Sequence, residues 1–206
     1  MTLEKALAEC PLIAILRGVG PDEAVDVCEA LHAAGLRAAE IPLNSPEPFD
    51  SIARAAAALA GRMTVGAGTV LTRDQVDRVS AAGGAFVVSP NVDVAVIARA
   101  VQLGLTPLPG FASATEAFTA LAAGARLLKL FPAATYGPGH LKALAAVLPP
   151  EVRIFPVGGV GPAQMAAWRD VGAAGFGLGS ELYRPGQSAA TTFEKARLAA
   201  AAAGVG

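Results

Sequence analysis

Histidine, cysteine and lysine are scarce in this 206-residue chain, with two, two and four copies, and charged residues of every kind make up only 16% of it. Cys10 and Cys28 belong to no CxxC or CxxH cluster, so both read as small buried hydrophobes. His32 and His140 lie in or beside helical segments, without acidic or cysteine ligands nearby, and are expected at the surface. No metal site is therefore expected. No GxSxG elbow and no Cys/His nucleophile pair occurs, which removes the hydrolase templates. A formal charge of −1, with no run of one sign, leaves no electrostatic footprint for DNA, RNA or an anionic membrane. No apolar run approaches the roughly 18 residues of a membrane span. The opening MTLEKALAEC lacks the basic start and long apolar run of a secretory signal. These absences lead us to expect a cytoplasmic protein that binds a small molecule.

What the chain has is apolar content, 53% of its residues, enough to bury one substantial core in one domain over residues 1–206. Eight short runs recur about every 20 to 25 residues, near 11–17, 38–43, 63–67, 85–88, 105–109, 126–131, 152–157 and 174–178. Strands without polar alternation are covered on both faces, as in parallel sheets. Between them lie helix signals. Pro21-Asp22-Glu23 opens a helix, Thr72 to Gln75 fits a capping box, and Gly35, Gly83, Gly104, Gly124 and Gly172 sit where helices stop. Eight β-then-α units predict an α/β fold of the (β/α)8-barrel type. The competing doubly wound sheet would carry a glycine-rich dinucleotide fingerprint, and none is present. Residues 2–9 predict an extra helix that covers the bottom of the barrel, and the Ala-rich end, 198–206, a fraying terminal helix.

Barrel enzymes react at the C-terminal ends of their strands. There, Lys129 interrupts the apolar strand Leu127-Leu128-Lys129-Leu130-Phe131, whereas Lys5, Lys142 and Lys195 lie in helical segments where a solvated ammonium is expected. Strand alternation puts Leu127, Lys129 and Phe131 on one face. Turned inward, Lys129 loses hydration, its pKa falls, and the neutral amine that attacks a ketone becomes available. The plainer alternative is a buried structural lysine paired with a carboxylate. Glu40 interrupts the strand Ala38-Ala39-Glu40-Ile41-Pro42 in the same way and is the matching acid and base, or the salt-bridge partner. Gly158-Gly159 and Gly179-Ser180 follow the seventh and eighth runs, where barrels bind phosphate through backbone N–H groups; sharp turns need the same residues. Arg17 ends the first strand as a fork for a carboxylate or phosphate, or as a solvated rim residue. Thr69 orients a substrate carboxylate or caps the following helix.

These residues resemble the class I keto-deoxy-phosphogluconate and keto-deoxy-phosphogalactonate aldolases. The match runs from about residue 11 to 183 through PLIAILRG (11–18), EIPLNSP (40–46), GAGTVL (66–71), SPN (89–91), PGFASATEAF (109–118), LKLFPA (128–133), VGGV (157–160) and GLGSELY (177–183). The resemblance implies a cofactor-free (β/α)8 barrel that cleaves a phosphorylated 2-keto-3-deoxy sugar acid to pyruvate and glyceraldehyde 3-phosphate. It implies Lys129 as the Schiff-base lysine and Glu40 as proton donor and acceptor. Arg17 and Thr69 then contact substrate, and Gly159, Gly179 and Ser180 receive the phosphate. A homotrimer follows by analogy only. Asn44-Ser45 and Val157 stand where gluconate-type members typically carry Arg-Thr and Thr, so the chain looks galactonate-type, and Val157 becomes a candidate for reading the epimer. Gluconate-type or dual specificity, and a non-catalytic barrel that senses a sugar phosphate, are the alternatives.

Overall fold

In the computed structural model, which describes residues 1–205, every apolar run becomes a parallel strand. The order is α1 (Leu3–Glu9), β1 (Leu12–Ile15), α2 (Pro21–Ala33), β2 (Ala38–Pro42), α3 (Pro48–Ala58), β3 (Thr64–Gly68), α4 (Arg73–Ala81), β4 (Phe86–Val88), α5 (Val94–Gln102), β5 (Thr106–Leu108), β6 (Gly110–Phe111), α6 (Ala114–Ala122), β7 (Leu127–Leu130), α7 (Ala133–Ala145), β8 (Arg153–Pro156), α8 (Met165–Arg169), β9 (Phe176–Leu178) and α9 (Ala189–Ala202). The strands form a six-stranded sheet, β5-β4-β3-β2-β1-β9, and a three-stranded one, β6-β7-β8, with a parallel bridge from Val157 to Gly177 beside β8 and β9. The fifth run, 105–109, gives β5 alone, and a further strand not expected from the sequence, β6, starts just past it at Gly110. Pro107 and Pro109 lack the N–H groups that a continuous ladder needs, and the Pro109 carbonyl accepts instead from the Lys129 amide at 2.9 Å.

Strand parity sorts the core into two layers. Ile13, Ala38, Phe86, Val88, Leu108, Leu127 and Phe155 pack with one another inside the curled sheets. Their sequence neighbours Leu12, Ala14, Ala39, Val87, Leu128 and Ile154 pack outward against the helices. The inner layer is closed by α1, whose Leu3, Ala6 and Leu7 are buried in it. Each leucine contributes about 1.5–3 kcal/mol by leaving water. Thr2 caps this helix, and Glu4 accepts from the Thr106 hydroxyl at 3.1 Å, tying the plug to β5. The plug thus covers one end of the inner layer, and the strands' C-terminal ends lie at the other.

The helix signals act as expected. Thr72 and Gln75 form the capping box of α4, and the glycines at 35, 83, 104, 124 and 172 all take left-handed backbone just past helix ends. The last helix begins at Ala189, well before the Ala-rich tract, and buries Ala196, Ala199 and Ala200 against its neighbours; Gly206 lies outside the described residues. Both histidines lie half-buried at the surface rather than fully solvated. His140 stacks on Tyr136, with ring centroids 4.7 Å apart, and its Nε2 meets the Ala112 carbonyl at 2.6 Å. Lys195 is half-buried too and donates to Gln187 at 2.7 Å. Cys10 and Cys28 are buried and unpaired, and burial pushes the Cys28 thiol up to about 12.

Candidate active site

The C-terminal end of the strands holds a cavity of about 210 Å³. All nine residues singled out in the sequence line it: Arg17, Glu40, Thr69, Lys129, Val157, Gly158, Gly159, Gly179 and Ser180. Ile15, Pro90, Phe131, Val160 and Glu181 complete the wall; of these, Phe131 shares the Lys129 face by strand parity and Pro90 follows a strand end, while Ile15, Val160 and Glu181 carry no role of their own in the sequence reading.

Lys129 is 7% exposed and faces inward with Leu127, as parity requires. Its Nζ lies over the Phe131 ring, 4.7 Å from the centroid. Burial lowers its pKa; the nearby Glu40 charge opposes that shift and Arg17 adds to it. Glu40 is 3% exposed, and burial raises its carboxyl pKa against the pull of Lys129 and Arg17. Each group is thus pushed toward its neutral form. Among the described residues no direct salt bridge joins them, and Glu40 Oε2 is buried without a hydrogen-bond partner. A neutral amine beside an unengaged carboxyl can add to a carbonyl and move protons, which a locked ion pair cannot.

Glycines shape the space around the carboxyl. The register pairs Glu40 with Gly66 and Pro42 with Gly68 on β3. A Cβ at Gly68 would overlap the Glu40 carboxyl, and one at Gly66 would collide with Phe86. Thr69 follows with a φ of 57°, left-handed backbone that a β-branched residue enters only under constraint. It does not cap α4, since Thr72 does. Its neighbour Val70 is clamped instead: the Val70 amide donates to Val88 at 3.1 Å, and the Ser89 hydroxyl donates to the Val70 carbonyl at 2.7 Å.

Arg17 is exposed at the cavity mouth, and its Nη1 donates to Asn44 Oδ1 at 2.8 Å. Gly18 N–H donates to the Ser45 hydroxyl at 2.9 Å. Asn44 and Ser45 therefore brace the end of β1, a role hidden in the sequence because the partners lie 27 residues apart. Val157 is buried at the wall and fills the space above Gly177.

On the opposite side, Gly158 and Gly159 both adopt positive φ, 92° and 75°, and a Cβ on Gly159 would lie 2.6 Å from the Ala134 Cβ. Only glycine meets both demands. Gly179 and Ser180 start a turn closed by bonds from the Leu182 and Tyr183 amides to the Gly179 carbonyl. Among the described residues, the N–H groups of Gly159, Val160, Ser180 and Glu181 have no protein acceptor. Two loops of free amides around one cavity make an anion cradle. Among the described residues, no group of three or more His, Cys, Asp or Glu is placed to hold a metal ion. No helix there is long and apolar enough to cross a membrane.

The family model described as KDPG and KHG aldolase matches residues 3–195. The 2-dehydro-3-deoxy-6-phosphogalactonate aldolase of Escherichia coli strain K12 is 52% identical over 90% of this chain and 91% of its own length. The 2-dehydro-3-deoxy-phosphogluconate aldolase of Treponema pallidum is 34% identical over 78% of this chain and 76% of its own. A solved native KDPGal structure superposes with a TM-score of 0.92 at 51% identity, covering 93% of each chain. The chain, with its inward lysine and glutamate below an anion cradle, belongs to the KDPG and KHG aldolase family.

Proposed function

We propose that this protein is a class I aldolase that cleaves 2-keto-3-deoxy-6-phosphogalactonate to pyruvate and D-glyceraldehyde 3-phosphate, with Lys129 as the nucleophile. The observation that carries the reading is the buried Lys129 amine, held toward its neutral form in the same cavity as Glu40. Lys129 Nζ adds to the C2 ketone, and Glu40 supplies and removes the protons as the carbinolamine loses water to an iminium. Glu40 then takes the proton of the C4 hydroxyl. The C3–C4 bond breaks, its electron pair moves into the iminium to give an enamine, and glyceraldehyde 3-phosphate leaves. Protonation of the enamine at C3 and hydrolysis return pyruvate and the free lysine. Arg17 and Thr69 hold the substrate carboxylate end, and Gly158, Gly159, Gly179 and Ser180 hold the phosphate.

The same proposal makes the chain one closed (β/α)8 domain over residues 1–206. Supporting closure, only Pro109 separates β5 from β6, and the Val157–Gly177 bridge links the remaining edges. A homotrimer in the cytoplasm, where phosphorylated sugar acids are retained, completes the reading.

The galactonate preference rests on the higher identity to the galactonate enzyme and on Val157. Threonine at 157 would offer one hydrogen bond to one orientation of the C4 hydroxyl, worth about 0.5–1.5 kcal/mol, while valine offers none. Pyruvate release from each C4 epimer tests this. The galactonate epimer is expected to have the higher kcat/KM, and Val157→Thr to move the ratio toward the gluconate epimer by a few-fold to about tenfold. Strong preference of the unmodified enzyme for the gluconate epimer would overturn the substrate assignment and leave the aldolase chemistry standing.

A further inference from the structure

The cradle for the phosphate contains a carboxylate. Glu181 lines the cavity on the loop that follows Ser180, and its side chain reaches across to the other anion-binding loop. There its Oε2 lies 3.4 Å from where a Cβ on Gly161 would stand. Gly161 N–H is already occupied by Gln164 Oε1 at 2.9 Å, and no salt bridge compensates Glu181 among the described residues. The charged residues of the cavity wall are Arg17 and Lys129 against Glu40 and Glu181, so the wall is formally balanced. Yet the substrate proposed above brings a carboxylate and a phosphate of about −1.5 to −2. Neutral amides alone would favour that phosphate; a carboxylate on the same cavity wall opposes it.

We infer that Glu181 is a specificity-determining residue that tempers the cradle's preference for a phosphate terminus, so that 2-keto-3-deoxy acids ending in a hydroxyl compete better than an all-donor cradle would allow. A phosphate repels the carboxylate, whereas a terminal hydroxyl can donate to it while its oxygen accepts from the free amides. The bond cleaved is unchanged: C3–C4 breaks, the electron pair enters the lysine iminium, the C4 hydroxyl proton leaves to the base, and the products are pyruvate and unphosphorylated glyceraldehyde. The inference rests on the aldolase reading for its substrates but not for its electrostatics.

Glu181→Gln tests it, since the change removes charge at constant shape on an exposed side chain. For two charges several ångströms apart at a water-exposed site, the KM for the phosphorylated acid is expected to fall about three- to tenfold. The kcat/KM for the unphosphorylated acid should stay level or fall, so the ratio between the two substrates rises. Inorganic phosphate, titrated calorimetrically into both proteins, should bind the variant more tightly by a similar factor. An unchanged ratio together with unchanged phosphate affinity overturns the role of Glu181. Absence of pyruvate release from the unmodified protein would sink the aldolase reading instead, and the phosphate titration would still decide on Glu181.

Discussion

The carboxyl of Glu40 occupies the space that a side chain on Gly68 would fill. Register brings the two strands together at this point, with Pro42 opposite Gly68, so the acid can lean over the end of β3 into the cavity. Gly68→Ala is therefore expected to displace the carboxyl rather than unfold the protein. Turnover should drop by up to on the order of a hundredfold, the scale of an ångström's misplacement of a reacting group. The overpacking cost should be about 1–3 kcal/mol. Steady-state kinetics with thermal unfolding check both; full activity in the variant would mean that the position of the Glu40 carboxyl is immaterial.

The opposed pKa directions of Lys129 and Glu40 set the pH behaviour. Because burial lowers Lys129, its neutral amine persists to lower pH than that of a solvated lysine, which titrates near about 10.4. Because burial raises Glu40, its proton persists to higher pH than the ordinary value of about 4.3. A bell-shaped profile of kcat/KM follows, with two apparent values that belong to the pair and lie between those two references. Glu40→Gln should remove one limb and lower turnover by roughly a hundredfold or more. A Glu40→Gln enzyme that keeps the full bell and near-normal turnover would reduce Glu40 to a structural partner.

The same directions have a stability consequence. With its folded pKa lowered, Lys129 binds fewer protons folded than unfolded, so its unfavourable contribution is full below the folded value and is relieved as pH rises to the unfolded one. Glu40 has the opposite dependence: its raised folded value adds a cost as pH climbs from the unfolded value through the folded one. Both groups are destabilising when charged, the usual relation between a reactive site and its fold.

Much of this was legible because strand parity is strict. A lysine and a glutamate inside apolar strands had only two faces to choose from, and the inner choice brought both to one cavity with the glycine loops. What stayed hidden depended on contacts between distant segments. Gly68 matters only through its register with β2, and Asn44 only through Arg17. The strand β6 beyond Pro109 went unread because two residues, Gly110 and Phe111, are too short a stretch for hydropathy to mark. The strain at Thr69 carries no composition signal, and neither does the carboxylate of Glu181 reaching the opposite loop.

The most direct test of the central claim is covalent trapping. The protein incubated with pyruvate and reduced with borohydride should gain one reduced pyruvyl group, and peptide mapping should find it on Lys129 alone among the four lysines. An adduct on Lys5, Lys142 or Lys195, or no adduct under conditions of full turnover, would contradict the account.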